Sequence, residues 1–392
     1  MPNDPFLFTS YLVLGLRLCS SRLGATILRF TMRQRSPSRL LLFLCFLCLF
    51  ASVRVEARPQ SNFNYGPLPV FELHSGFWIN LHHALYHEAK LRSGGVQQGK
   101  SANSSNPTSN PTPGAKPSLS PAEQRIWEDA VAYYAANYAD KDLLFSTELI
   151  QLKDQLGDFE DCDELSGRKR KFCDAGLPAK LTQVLESAAP VYRAHLWPEH
   201  DRANRRWIMG VAPLVREQGV GLSERLADIY QARWPREKIR VDLTSYANWS
   251  GAYTTADPLR VTISSLDTRN QGAAALEVLF HEGSHGIAEP VQAAIIRECH
   301  QRDKAIPRDL WHALVFYTTG EVMRPVLGSP GATAGDQDGN VPGGGYTPYA
   351  LREGLYQRGW NDYYKLLQRF WQPYLDGKAS FDDAIARMVS SL

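Results

Sequence analysis

An α+β fold, predominantly α-helical, with a small β-sheet or ribbon ahead of one buried helix, is what this 392-residue sequence predicts. Three observations carry the expectation. Apolar residues recur at helical spacing along most of the chain. Only residues 238–255 and 259–265, "KIRVDLTSYANWSGAYTT" and "LRVTISS", are rich in β-branched and aromatic side chains, and Asp257-Pro258 marks a turn between them. Directly afterwards the run Ala273-Ala274-Ala275-Leu276 returns to helical character. Apolar content of 44% and charged content of 21% are those of an ordinary globular protein, long enough for one large domain or two medium ones.

Taken in order, residues 1–57 read as a leader. A basic, acid-free stretch at 32–39 precedes the apolar run "LLLFLCFLCLFASV", which suits an export signal and is short for a membrane span. "VEA" at Val55–Ala57 resembles a cleavage site, and Met32 is the expected start of the signal. Export to the periplasm or outside the cell follows, with no stable membrane span left after cleavage. Residues 58–92 form an N-terminal segment with one helix over 75–92. Residues 93–120 are a Ser/Asn/Pro/Gly tract with too little apolar surface to offset its ordering, hence a linker or loop. Residues 121–392 form the main domain. Helices are predicted there at about 121–137, 143–156, 179–195, 201–217 and 221–233, then the β-ribbon. A helix over 272–287 stops at Pro290, and an apolar helix over 309–323 ends before Pro325. The glycine-rich stretch 328–345 is a long loop, and helices over 347–357, 360–374 and 381–390 finish the chain.

Charge and cysteine usage narrow the function classes. Beyond residue 57 there are 36 Lys+Arg against 39 Asp+Glu, about −3, so no basic surface is left and nucleic acid is not an expected partner. Cys162 and Cys173 flank the polar segment "DELSGRKRKF", and in an exported protein they are expected to pair as a disulfide. Cys299 is expected to be a small buried hydrophobe.

The chemistry lies in "LEVLFHEGSHGIAEP", residues 276–290. On a helix, His281 and His285 stand about 40° apart around the axis and one turn apart along it, so both imidazoles can share a metal ion. Glu282 is turned by roughly 100° more, outside the ligand set but near a water on the ion. Two neutral nitrogen ligands beside a carboxylate base are the mechanical content of H-E-x-x-H, and Zn²⁺ is the ion that the pattern suits. The small Gly283 and Ser284 fill the variable positions. A second cluster, His74, His82, His83 and His87, crowds the first helix without a neighbouring glutamate base, and histidine–aromatic packing explains it best.

A catalytic zinc takes a third protein ligand. Position 288 is Ala and 291 is Val, so the continuation H-x-x-G-x-x-H fails. Glu298, His300, His312 and Glu321 are the nearby candidates. "DLWHALVFYTTGEVMR" is apolar nearly all round and predicts a buried helix. Glu321 falls close to Leu310 and Leu314 on its wheel, where an ionised carboxylate is costly unless paired or bound to a metal. Gly320 beside it permits close approach by another backbone. His312 lies roughly 180° from Glu321, so one ion cannot take both. Glu321 is preferred, with His312 as the alternative. For an oxyanion donor, "GGGYTPYALREG" offers Tyr346, Tyr349 and Arg352, with Asp267, Glu277 and Tyr253 as lesser candidates.

"HEGSH" followed by a glutamate in "TTGEVMR" resembles the gluzincin branch of the zincin metallopeptidases, the thermolysin-like arrangement, over roughly 238–324. The resemblance implies a zincin-like core in which a sheet edge binds an extended peptide above the H-E-x-x-H helix. It implies one Zn²⁺ on His281, His285 and Glu321, with Glu282 as general base for hydrolysis of a peptide or protein substrate. The Asn-Glu-x-x-x-Asp context of the thermolysin group is missing around Glu321. The alternatives are an exported helical binding or scaffold protein that keeps such a core without hydrolysis, and a zinc hydrolase of a non-peptide amide or ester.

Overall fold

Alternation along the strands decides which side chains go where. Strand β2 (Ile239–Thr244) sends Ile239, Val241 and Leu243 to one face and Arg240, Asp242 and Thr244 to the other; β4 (Leu259–Ser264) repeats this with Val261 and Ile263 against Arg260 and Thr262. The computed structural model describes residues 68–94, 118–328 and 345–392. In it these strands join β1 (Phe71–His74) and β3 (Ala252–Ala256) in one sheet of order β1-β2-β4-β3. β1 and β4 run parallel to β2, and β3 runs antiparallel to β4 on the edge. With helices dominating the rest, the class is α+β and mostly helical.

The apolar face of the sheet carries the larger core. It is built from α5 (Trp197–Ile229), α6 (Ala273–Ser284), α7 (Glu289–Gln301), α8 (Leu310–Leu327) and the short C-terminal helices α9 (Tyr349–Arg352), α10 (Asn361–Leu366), α11 (Gln372–Leu375) and α12 (Phe381–Ser390). α6 lies at the centre and buries every residue from Ala274 to Ser284. The other face is polar. It meets α1 (Phe77–Arg92) and α3 (Thr147–Asp158), which with α2 (Pro121–Asn137) and α4 (Ala179–His195) enclose a second core around Trp78, Leu81, Tyr134 and Tyr192. The seam is held by directed bonds: Asn80 Nδ2 donates to the Leu243 carbonyl at 2.8 Å, and Lys153 Nζ donates to Thr255 Oγ1 at 2.8 Å.

Several expectations need correction. β1 has only four residues and finds its partner far along the chain, so no local pattern announces it; with α1 it belongs to the same compact unit as everything after it. The segment 58–92 is therefore not separate from the main domain where it is described. The helices expected at 201–217 and 221–233 are one, α5, which runs through Pro213; Trp207, Val211, Val215, Leu222 and Leu226 bury along it, and this outweighs one lost backbone bond. The helix expected over 272–287 does end before Pro290, as α6 and a 3-10 turn at His285–Ile287, but Pro290 then opens α7, at a position where its missing N–H costs nothing. α8 likewise continues through Pro325 to Leu327.

Cys162 and Cys173 form the expected disulfide, with Cα atoms 5.7 Å apart, and Cys299 is a buried free thiol. Among the described residues no helix is long and apolar enough to cross a membrane. The leader 1–57, most of the 93–120 tract and residues 329–344 lie outside the described residues.

Candidate metal centre

The helical spacing of His281 and His285 does what the sequence predicts: their rings stand 4.9 Å apart, edge to face, at the C-terminal end of α6. The third side chain to join them is His312, in the first turn of α8, with ring centroids 5.3 Å from His281 and 5.1 Å from His285. One donor nitrogen from each of the three lies within 4.8 Å of the others. His281 Nε2 and His312 Nε2 are 3.3 Å apart. Two nitrogens each ~2.1 Å from one ion at a tetrahedral angle stand about 3.4 Å apart, so this spacing fits two ligands on one metal ion as well as a hydrogen bond.

All three imidazoles are held neutral, the state a ligand requires. Burial, then the neighbouring His285 and His312, holds His281 well below the usual histidine range. Burial and His312 take His285 down to about 3. Burial lowers His312 to about 4, against the opposing pull of Asp309. Three neutral nitrogens with further positions left for water or substrate suit a catalytic Zn²⁺.

Glu282 stands beside this group. Its Oε2 is 3.9 Å from His285 Nε2. Thr254, on the edge strand β3, places its Oγ1 2.7 Å from Glu282 Oε2 and 2.9 Å from the Glu282 carbonyl oxygen. The one hydroxyl proton is shared between the two acceptors as a three-centre bond, which ties the Glu282 carboxyl to β3. Burial, against that hydrogen bond, pushes Glu282 up to about 7, where it can both take and give a proton near neutral pH.

Glu321 is not brought to the histidines, and the preference for it is corrected. Nine residues after His312 it points to the opposite side of α8. It pairs with Arg324 at 2.6 Å and lines a surface cavity of about 370 Å³ with Arg225, Gln372 and Asp376. Leu310 and Leu314, at nearly the same wheel position, are wholly buried, but Glu321 sits where the helix emerges and keeps 22% of its side chain exposed. Its charge is balanced by Arg324 and solvent, without an ion.

Tyr346 and Tyr349 reach α6 but stop one turn before His281, about 6 Å along the axis. The Tyr346 hydroxyl donates to Glu277 Oε2 at 2.6 Å, and the Tyr349 N–H donates to the same oxygen at 2.9 Å. The close approach expected at Gly320 is made by Pro348, between the two tyrosines. The Tyr349 ring stacks 6.0 Å from Phe316, which stacks on His281 at 3.7 Å. Arg352 turns away to the Arg269 carbonyl at 2.7 Å. The other histidine cluster faces the far side of the sheet, where His82 meets Tyr134 at 3.0 Å, His83 meets Tyr253 at 3.3 Å and His87 stacks on Tyr246.

Sequence reasoning missed Thr254 and the rings of Trp311, Phe316 and Trp360. For the rings, the adjacent pair Trp311-His312 on an apolar helix was the available signal; for Thr254 there was none, because only strand phase aims it at α6. Comparisons of the chain with protein-family models, with curated proteins and with solved structures find no match.

Proposed function

We propose that the protein is an exported zinc-dependent hydrolase of peptide bonds, in which His281, His285 and His312 hold the ion and Glu282 is the general base. The observation that carries this is the convergence of three neutral imidazoles beside a buried carboxyl that titrates near neutrality. A dication in such a site supplies Lewis acidity toward a carbonyl and lowers the pKa of water. Glu282 accepts a proton from the attacking water and returns it to the leaving nitrogen, and Thr254 holds the carboxyl in place for both transfers. The edge strand β3 beside Glu282 supports an extended peptide as substrate, since its outer side can pair with a further strand. The H-E-x-x-H helix beside a sheet edge is compatible with the gluzincin resemblance, and in this proposal His312 takes the place that the resemblance gave to Glu321. Tyr346 and Tyr349 act in this scheme through Glu277, as positioning residues. The disulfide supports an oxidising compartment, hence export.

Metal analysis and peptide digestion on four proteins test the proposal. His312→Ala loses zinc, whereas Glu321→Ala keeps it. Glu282→Gln keeps zinc and loses at least ~10²-fold in hydrolysis. Zinc retained by His312→Ala and lost from Glu321→Ala would overturn the ligand set; full activity in Glu282→Gln would overturn the base. Zinc held by the wild-type protein without turnover on any peptide points to a binding protein instead.

A further inference from the structure

Three aromatic rings collar the histidines. Trp311 stands edge-on to His285 at 5.5 Å and stacks on His312 at 5.1 Å. Phe316 lies flat on His281. Trp360, from a separate element, reaches His312 at 5.5 Å and Phe316 at 5.9 Å. All three rings remain partly exposed, whereas Trp371, Trp78 and Phe280, which serve packing, are shut away at 1% exposure or less. Large apolar rings left open around a polar cluster signal a surface that something else covers. Trp360 also closes a five-residue π-helical turn, Tyr356–Trp360. Such turns are rare and frequent at functional sites; the second one among the described residues, Leu367–Trp371, ends on a ring that packs in the core.

Charge points the same way. The groups that act on the three histidines are one another and Asp309, and Thr254 is the partner of Glu282. Arg308, which pairs with Asp309 at 3.6 Å, stands 94% exposed. A substrate carboxylate beside the rings would lose its hydration next to Asp309 and Glu282 with, besides the proposed ion, only that solvated arginine to offset the cost. An aromatic side chain would instead cover the exposed ring faces.

We infer that the collar of Trp311, Phe316 and Trp360 selects the substrate, seating an aromatic or bulky apolar side chain next to the bond that is cut and rejecting acidic ones. This rests on the hydrolase proposed above and names its substrate class: extended peptide segments bearing aromatic residues.

The test reads binding, so that it does not depend on turnover. Phenylalanine hydroxamate, acetohydroxamate and aspartate hydroxamate are titrated into the zinc-loaded full chain by calorimetry. The phenylalanine compound is expected to bind at least about tenfold tighter than acetohydroxamate, the discrimination that one apolar side chain gives in a fitted pocket. The aspartate compound gains nothing. Trp360→Ala lowers the phenylalanine preference at least about fivefold and Trp360→Phe restores most of it, since a ring is what the site needs. Equal binding of the phenylalanine and aspartate compounds overturns the inference, as does a preference that survives in both Trp311→Ala and Trp360→Ala. If the chain holds no zinc, the hydrolase proposal fails by itself. The collar is then read on the same chain from tryptophan quenching by N-acetylphenylalaninamide against N-acetylaspartamide, with equal quenching as the overturning result. Binding preference without any peptide cleavage sinks the hydrolase and leaves the collar standing.

Discussion

Glu277 is a carboxyl with 1% exposure, one turn ahead of the histidines. One oxygen takes both hydrogen bonds from the 346–349 segment, and Oε1 has no hydrogen-bond partner. Burial outweighs those bonds and pushes its pKa up to about 7. A group whose folded pKa is raised contributes stability that is fully present below its unfolded value, ~4.3, and is lost as pH rises through the folded value. Glu277→Gln keeps the acceptor and the shape but cannot ionise. It should melt with the wild-type protein at pH 4 and several degrees above it at pH 9, where ionisation costs the wild type on the order of 3 kcal/mol. Coincident melting at both pH values would show that the carboxyl is not strained by its surroundings. Gly320 gives a second test in the same place. A Cβ there would stand 2.6 Å from Pro348 Cβ and 3.3 Å from Glu277 Oε1, so Gly320→Ala should destabilise by about 1–3 kcal/mol in denaturant titration. A Cβ at Gly221, on α5, meets nothing within 4 Å, and Gly221→Ala should be neutral or stabilising by up to ~1 kcal/mol.

Among the elements, the bridged loop between α3 and α4 is held by one covalent tie over 11 residues of separation. Opening it in a Cys162→Ala/Cys173→Ala double variant should cost about 2–3 kcal/mol by denaturant titration, and reductant should have no effect on that variant. Helices with a clear apolar stripe were legible in the sequence, and so was the pair of motif histidines, because four residues on a helix leave little freedom. β1 was not, since a short strand is defined by a partner more than 160 residues away. α8 was mis-ended because proline is a local signal, and the packing that overrides it is tertiary; α5 was split between 217 and 221, where the buried stripe Val215, Gly219 and Leu222 carries the helix on. The third side chain at the histidine pair was misjudged for a related reason. A wheel places Glu321 beside Leu310 and Leu314 but does not show that the helix leaves the core before reaching it.

Across the whole molecule the two cores carry histidines that burial keeps neutral. Away from the candidate metal centre, burial takes His82 to about 3 and His87 and His200 each to about 4. The unfolded chain protonates these rings near pH ~6.5 while the fold refuses the proton, so their stability is full above that pH and lost as pH falls. Each contributes a slope of ~1.4 kcal/mol per pH unit between its two pKa values. Unfolding free energies measured at pH 8, 7 and 5 should be nearly level between the first two and fall sharply at the third; a flat profile to pH 5 would mean that the rings are hydrated. Zinc adds a second handle. On the proposed ligand set it binds only the assembled triad, so zinc should raise the melting temperature and a chelator should lower it.

Strand β3 serves both sides of the sheet by alternation, with Thr254 turned to Glu282 while Tyr253 and Thr255 turn to His83 and Lys153. The consequence concerns chain length more than chemistry. Asp257 and Pro258 are the only residues between β3 and β4, so the hairpin has no slack in which to hide an extra residue. One residue inserted or deleted within 252–256 reverses every side chain beyond it. The hydroxyl meant for the carboxyl would then face the lysine, and the tyrosine would be driven into α6. Substitution at a β3 position disturbs one side of the sheet, whereas a change of length disturbs both.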